Sequence, residues 1–107
     1  MPLVLLQATY APEGAKGLIK DGGSKRKAAI KQMFEAAGGK LHAMYFGFGE
    51  HTVVIIAETP DNATAAAVGL VVNASGVLSH SQTTVLITPE EMDAAAKKSI
   101  TYRAPGS

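Results

Sequence analysis

The sequence contains no cysteine. That absence excludes disulfides, thiolate-ligated zinc, iron–sulfur clusters and a cysteine nucleophile together. A dominant charge is also missing. Ten lysines and arginines against nine aspartates and glutamates leave a net charge of +1, so no overall field draws the chain to nucleic acid or to an anionic membrane. Aromatics are few, three tyrosines and three phenylalanines, with no basic–aromatic surface strand of the kind that binds single-stranded nucleic acid. No window approaches the roughly 18 apolar residues of a membrane-spanning helix. The opening MPLVLLQATYAPEG has an apolar run but no basic flank, and the run is short before Gln7. It makes a poor signal peptide and a good strand, so a cytoplasmic protein is expected.

What remains is 107 residues, 47% of them hydrophobic, enough for one core and too few for two. Leu3 to Tyr10 reads as a strand closed by Ala11-Pro12-Glu13-Gly14. Pro12 to Lys20 has room for one or two helical turns, weakened by Gly14 and Gly17. Asp21-Gly22-Gly23 breaks the chain, and Ser24 is placed to cap a helix from about Lys25 to Ala37, where Ile30, Met33, Phe34 and Ala37 recur at helical spacing. Gly38-Gly39 ends it. Leu41 to Phe48 and Thr52 to Glu58 are strands joined by a hairpin. Pro60-Asp61 begins an alanine-rich helix that lasts to about Ala74 and stops at Gly76, and Val77 to Ile87 is a long fourth strand. Thr88-Pro89-Glu90-Glu91 supplies a capping threonine, a first-turn proline and a capping-box glutamate for a last helix ending near Lys98. The expected domain is 1–98, with an irregular tail over 99–107.

This order specifies an α+β ferredoxin-like βαββαβ sandwich with an extra C-terminal helix, its four antiparallel strands ordered 4-1-3-2 and its helices on one face. Strand residues are apolar on both sides. Val53, Ile55 and Ala57 oppose Val54 and Ile56, while Val4, Leu6 and Ala8 oppose Leu3 and Leu5. The uncovered face is too apolar to stay wet, and a second copy is the expected partner, in a homodimer or higher oligomer.

The element order, the Gly38-Gly39 stop, the hairpin and the closing TPEEMDAAAKK resemble the GYD-domain proteins, small bacterial proteins of the dimeric α/β barrel superfamily, over roughly Leu3 to Lys98. The resemblance implies the fold and the dimer, and no established common biochemical function. The family's Gly-Tyr-Asp turn matches Gly49-Glu50-His51-Thr52, with one extra residue after the glycine. His51 then stands at the tyrosine position and Thr52 at the aspartate position, so roles tied to that pair do not carry over. The wider superfamily includes haem-degrading and cofactor-free monooxygenases, isomerases and ligand-sensing domains. It implies a small-molecule-binding protein, with an enzyme of the same fold or a structural or regulatory module as alternatives.

The stretch FGFGEHT reads as a two-residue hairpin loop at Gly49-Glu50 of type II′. Phe48 then pairs with His51, Phe46 with Val53, Met44 with Ile55 and His42 with Ala57, which puts His42, Met44, Phe46, Phe48 and His51 on one face. His42 and His51 lie about 20 Å apart in that register, and His80 about 14 Å from His42 on the opposite edge, too far to share a metal within one chain. A single histidine could serve as an axial haem ligand, and the cofactor is otherwise unknown. His42 and His51 are candidate ligand-binding residues, with ordinary surface or edge histidines as the plainer reading. Gln7, Thr9, Tyr45, His80, Gln82 and Thr84 are polar positions on otherwise apolar strands, suited to converge on a small hydrophobic, neutral or weakly anionic ligand. In an enzyme, His80 would be the general base or proton donor and Tyr45 a hydrogen-bond donor. A wet dimer interface is the plainer alternative. Ser24, Lys25 and Arg26 at a helix start offer an anion site. The preceding GLIKDGGS imitates a phosphate-binding loop but has Gly23 where the lysine must stand, which excludes nucleotide hydrolysis.

Overall fold

The computed structural model describes all 107 residues. The elements run β1 (Leu3–Tyr10), α1 (Pro12–Asp21), α2 (Gly23–Ala36), β2 (Lys40–Phe46), β3 (Val53–Glu58), α3 (Asn62–Ala74), β4 (Leu78–Leu86) and α4 (Pro89–Ala96). The strands form one antiparallel sheet in the order β2-β3-β1-β4, the expected 4-1-3-2 read from the other edge. β3 and β1 are the central strands, and they carry the continuous aliphatic runs, Val53 to Ala57 and Leu3 to Leu6, which two flanking strands shield.

The first helical segment is longer than its two glycines suggest. Pro12 occupies its first turn, and Gly14 is buried rather than exposed to competing solvent. Gly22, at φ +79°, then turns the chain into α2. Gly22 itself is the N-cap of α2, so Ser24 does not cap it and lies inside the first turn. α3 and α4 begin as expected. The Asp61 side chain accepts from the Thr64 amide at 2.7 Å. Thr88 and Glu91 form a reciprocal capping box with both bonds at 3.1 Å.

The core lies between the sheet and the helices. Val4, Ala8, Met44, Val53, Ile55 and Ala57 from the strands meet Ile30 and Phe34 of α2 and Ala65 and Val68 of α3. α4 contributes nothing to it and has no buried residue; beyond it Ile100 and Tyr102 are likewise exposed. The radius of gyration is accordingly 16.8 Å, against about 13 Å for an ordinary domain of this length. The accessible surface is 7416 Å², against about 5,700 Å² for a monomer of this mass. The chain exposes far more than a self-sufficient domain does.

Candidate functional site

Side chains alternate across a strand, so the face each one takes follows from its neighbours. Leu6, Ala8, Tyr10, Ser81 and Thr83 line the space beneath the helices. Gln7, Thr9, His80, Gln82 and Thr84 therefore lie on the opposite, helix-free face. Pairing sets them side by side: Gln7 opposite Gln82, Thr9 opposite His80, and Leu5 opposite Thr84. Tyr45 joins this face through the row Tyr45, Val54, Gln7, Gln82. Leu3, Leu5, Val54 and Ile56 make the aliphatic part of the face, and Glu58, opposite Leu3 and paired with Lys40, closes its far end. The polar residues thus form a patch on β1 and β4. Tyr45 stands on the far edge strand, three spacings or about 14 Å from β4. Tyr45 and His80 share a face, but within one chain they do not meet at one substrate atom.

The hairpin differs from the expected two-residue turn. β2 ends at Phe46, Gly47 N–H donates to the Thr52 carbonyl at 3.0 Å, and no glycine of the loop has positive φ, so type II′ geometry is not formed. The reason is Thr52. Its amide donates to the Ala8 carbonyl at 2.8 Å, and its hydroxyl accepts from the Tyr10 amide at 2.9 Å. Thr9 Oγ1 meanwhile donates to the Glu50 carbonyl at 2.8 Å. These bonds fold the loop back along the end of β1. Phe48 is left fully exposed, and His51 is carried away from the buried Met44 to the His80 side of the sheet. The two imidazoles lie nearly parallel, 14° apart in plane, with centroids 6.5 Å apart. Two histidines are therefore neighbours within a single chain, which the flat-hairpin register excluded. His51 Nδ1 is buried there and has no hydrogen-bond partner.

His42 also departs from its expected pairing. Leu41, not His42, pairs with Ala57, and the register shifts so that Ala43 pairs with Ile56. The bulge leaves His42 free to reach Glu58, with Nε2 to Oε2 at 2.8 Å. The hydrogen bond from His42, followed by its charge, holds the Glu58 carboxyl below the usual glutamate range. A cleft of about 600 Å³ opens beside this pair, walled by Leu3, Leu86, Thr88 and Glu91 at the root of α4. Histidines and carboxylates nowhere form a group of three or more spaced to hold a metal ion.

At the start of α2 the proposed anion ligands separate. Lys25 Nζ lies 3.7 Å from the Asp21 carboxylate, and the ring of Phe46 packs close to Gly23. Arg26 is half-buried and turns toward the space beneath the helices. No helix is long and apolar enough to cross a membrane.

A four-stranded antiparallel sheet with helices on one face, and a polar patch on the other, defines a ferredoxin-like α+β protein. The GYD domain model matches residues 4–96, and the chain belongs to that family. Among solved structures, one described as FFRP-DM1 superposes with a TM-score of 0.53 at 14% identity, covering 81% of this chain and all of the other. The hypothetical protein PHS023 from Pyrococcus horikoshii gives a TM-score of 0.52 at 13% identity, covering 85% of this chain and 95% of the other. At these identities the likeness is one of fold. No curated protein matches the chain.

Proposed function

We propose that the protein is a homo-oligomer that binds a small molecule, and that two copies meet through the helix-free sheet face. The reading is carried by one observation: Gln7, Thr9, His80, Gln82 and Thr84 lie contiguously on β1 and β4, beside Leu3, Leu5, Val54 and Ile56 on the same face. A wet interface would pair such groups with one another or with water. A chamber for a small, mostly apolar ligand needs a few such groups to orient it. Pairing would also answer part of the excess surface, because a standard interface removes about 800 Å² from each partner. If the two-fold axis runs along the strands, β2 of one copy lies over β4 of the other. That arrangement sets Tyr45 over the partner's β4 at the level of Gln82, two residues or about 7 Å along the strand from His80.

Native mass spectrometry of protein purified from cells, with an absorption spectrum, tests the reading. A dimer or larger assembly carrying additional small-molecule mass supports it, and a Soret band would identify haem. A monomer at micromolar concentration refutes the pairing. A second reading, an enzyme on the same fold, draws on the neighbouring His51 and His80 imidazoles, with His80 as the general base or proton donor. On that reading His80→Ala abolishes turnover of the bound compound while leaving the assembly intact.

A further inference from the structure

The other side of the sheet holds a cavity that the helix-free face does not explain. It lies between the sheet and helices α2 and α3, has a volume of about 50 Å³, and is walled mainly by Ile30, Met44, Ile55, Val68 and Val72. At about 10–15 Å³ per water on this measure, it has room for the equivalent of about four waters, or one short alkyl chain or ring. Its apolar wall makes it a poor home for water.

Two residues argue against a packing accident. Gly69 lines the cavity from the interior of α3, and a Cβ added there would meet nothing within 4 Å. Glycine is the worst helix former after proline. No neighbour within 4 Å requires glycine at this position, and alanine would strengthen the helix. Arg26 is the only charged residue of the lining. Arg26 is half-buried at the rim and has no ion pair and no side-chain hydrogen bond, so its guanidinium is uncommitted within the chain. Glu13 and Asp21 line the adjoining hollow with it, but their salt-bridge partners are Lys16 and Lys25. The other polar groups on the wall are less available. Ser81 Oγ donates to Asn73 Oδ1 at 3.0 Å, and Asn73 Nδ2 donates to the Gly69 carbonyl at 2.8 Å.

We propose that this cavity binds a monocarboxylate bearing a short aliphatic chain or a single ring, with the apolar part against Val68 and Ile55 and the carboxylate on the Arg26 guanidinium. A planar guanidinium pairs with a carboxylate through two parallel hydrogen bonds, and an apolar slot beside it selects the hydrocarbon. The site lies on the opposite face from the interface proposed above and stands independently of it.

The test titrates the protein, as purified, with hexanoate and benzoate and with the neutral isosteres hexan-1-ol and benzyl alcohol, by calorimetry and by methyl-resolved NMR. Each carboxylate binds at least about ten-fold more tightly than its alcohol, as expected for a charge-assisted contact. The shifted methyl signals are those of Ile30, Ile55 and Val68. Arg26→Gln removes the preference for the carboxylate, and Gly69→Leu, which fills the slot, removes binding of both. Gly69→Ala serves as the folding control for that position and retains the carboxylate preference. The methyl map on the wild-type protein decides the question even if Gly69→Leu fails to fold. Equal binding of acid and alcohol, no binding of either, or methyl shifts confined to Leu5, Val54 and Ile56 of the helix-free face would each overturn the assignment.

Discussion

Val54 is the position at which pairing of two copies is most exposed to a single substitution. It sits on β3 in the helix-free face, flanked by Gln7 and Tyr45. In an isolated chain it is only half-buried, so Val54→Glu costs the fold no more than about 1 kcal/mol of strand preference. In a face-to-face dimer the same change buries a carboxylate without a partner, and two-fold symmetry does it twice. An uncompensated buried charge costs about 3–5 kcal/mol, so the dimer loses about 6–10 kcal/mol. At about 1.4 kcal/mol per decade, the dissociation constant rises by about 10⁴ to 10⁷. Sedimentation velocity at micromolar concentration reads the result directly, with circular dichroism confirming that the strands persist. Ala28→Glu, on the exposed side of α2, adds the same charge where no interface is expected and leaves the assembly unchanged. If the Val54→Glu protein sediments with the wild type as an oligomer, the sheet face is not the interface and the reasoning fails.

Other perturbations address the fold and its electrostatics. Phe34, 1% exposed at the centre of the core, loses about 3–5 kcal/mol on Phe34→Ala, measured by chemical denaturation; a loss under about 1 kcal/mol would mean that α2 is not packed as described. Thr88→Ala removes one half of the capping box and weakens α4 by about 1 kcal/mol. Faster amide exchange confined to α4, with core protection unchanged, is the expected signature, and an effect spread through the sheet would contradict it. The Glu58 carboxyl titrates below its ordinary value because His42 donates to it. Its contribution is therefore fully present above the unfolded value of about 4.3 and disappears as pH falls through the lowered folded value. The gap in melting temperature between wild type and Glu58→Gln is expected to hold from neutrality to mild acid and to shrink below that point. A gap that widens in acid would reverse the sign of the argument.

The parts of this molecule legible in the sequence are those that local chemistry decides. Alternation of apolar residues in β1 and β3 fixed both faces of the sheet, and with the short connections it fixed the strand order. Asp61 and Thr88 announced their helices because a capping side chain satisfies amides a few residues away. The misread places are those where a distant residue competes. Thr52 looked like the first residue of a strand; its bonds to Ala8 and Tyr10 open the hairpin and move His51 to the other side. The bulge at His42 goes with the contact of its imidazole with Glu58, a contact between residues on different strands. Ser24 had the right chemistry to cap α2, but the backbone reversal at Gly22 starts the helix earlier. The cavity gave one local signal, a glycine inside the α3 pattern, and glycine in a helix does not by itself distinguish a close approach from an empty space.

The excess surface carries a further consequence. A face of four strands spaced about 4.8 Å apart, each rising about 3.4 Å per residue, presents on the order of 500 Å² of projected area. The chain exposes about 1,700 Å² more than a domain of its mass should. Covering the sheet accounts for part of that, and the remainder lies where no residue is buried, on α4 and the segment bearing Ile100 and Tyr102. The α4 capping box is well made, yet a helix of eight residues is too short to hold together in water alone. Capping sets where the helix begins, and only packing sets whether it persists. With no packing supplied by its own domain, α4 depends for its stability on whatever lies against it in the assembly. Loss of α4 protection in the monomeric Val54→Glu protein would tie the two surfaces to one interface, and retention would separate them.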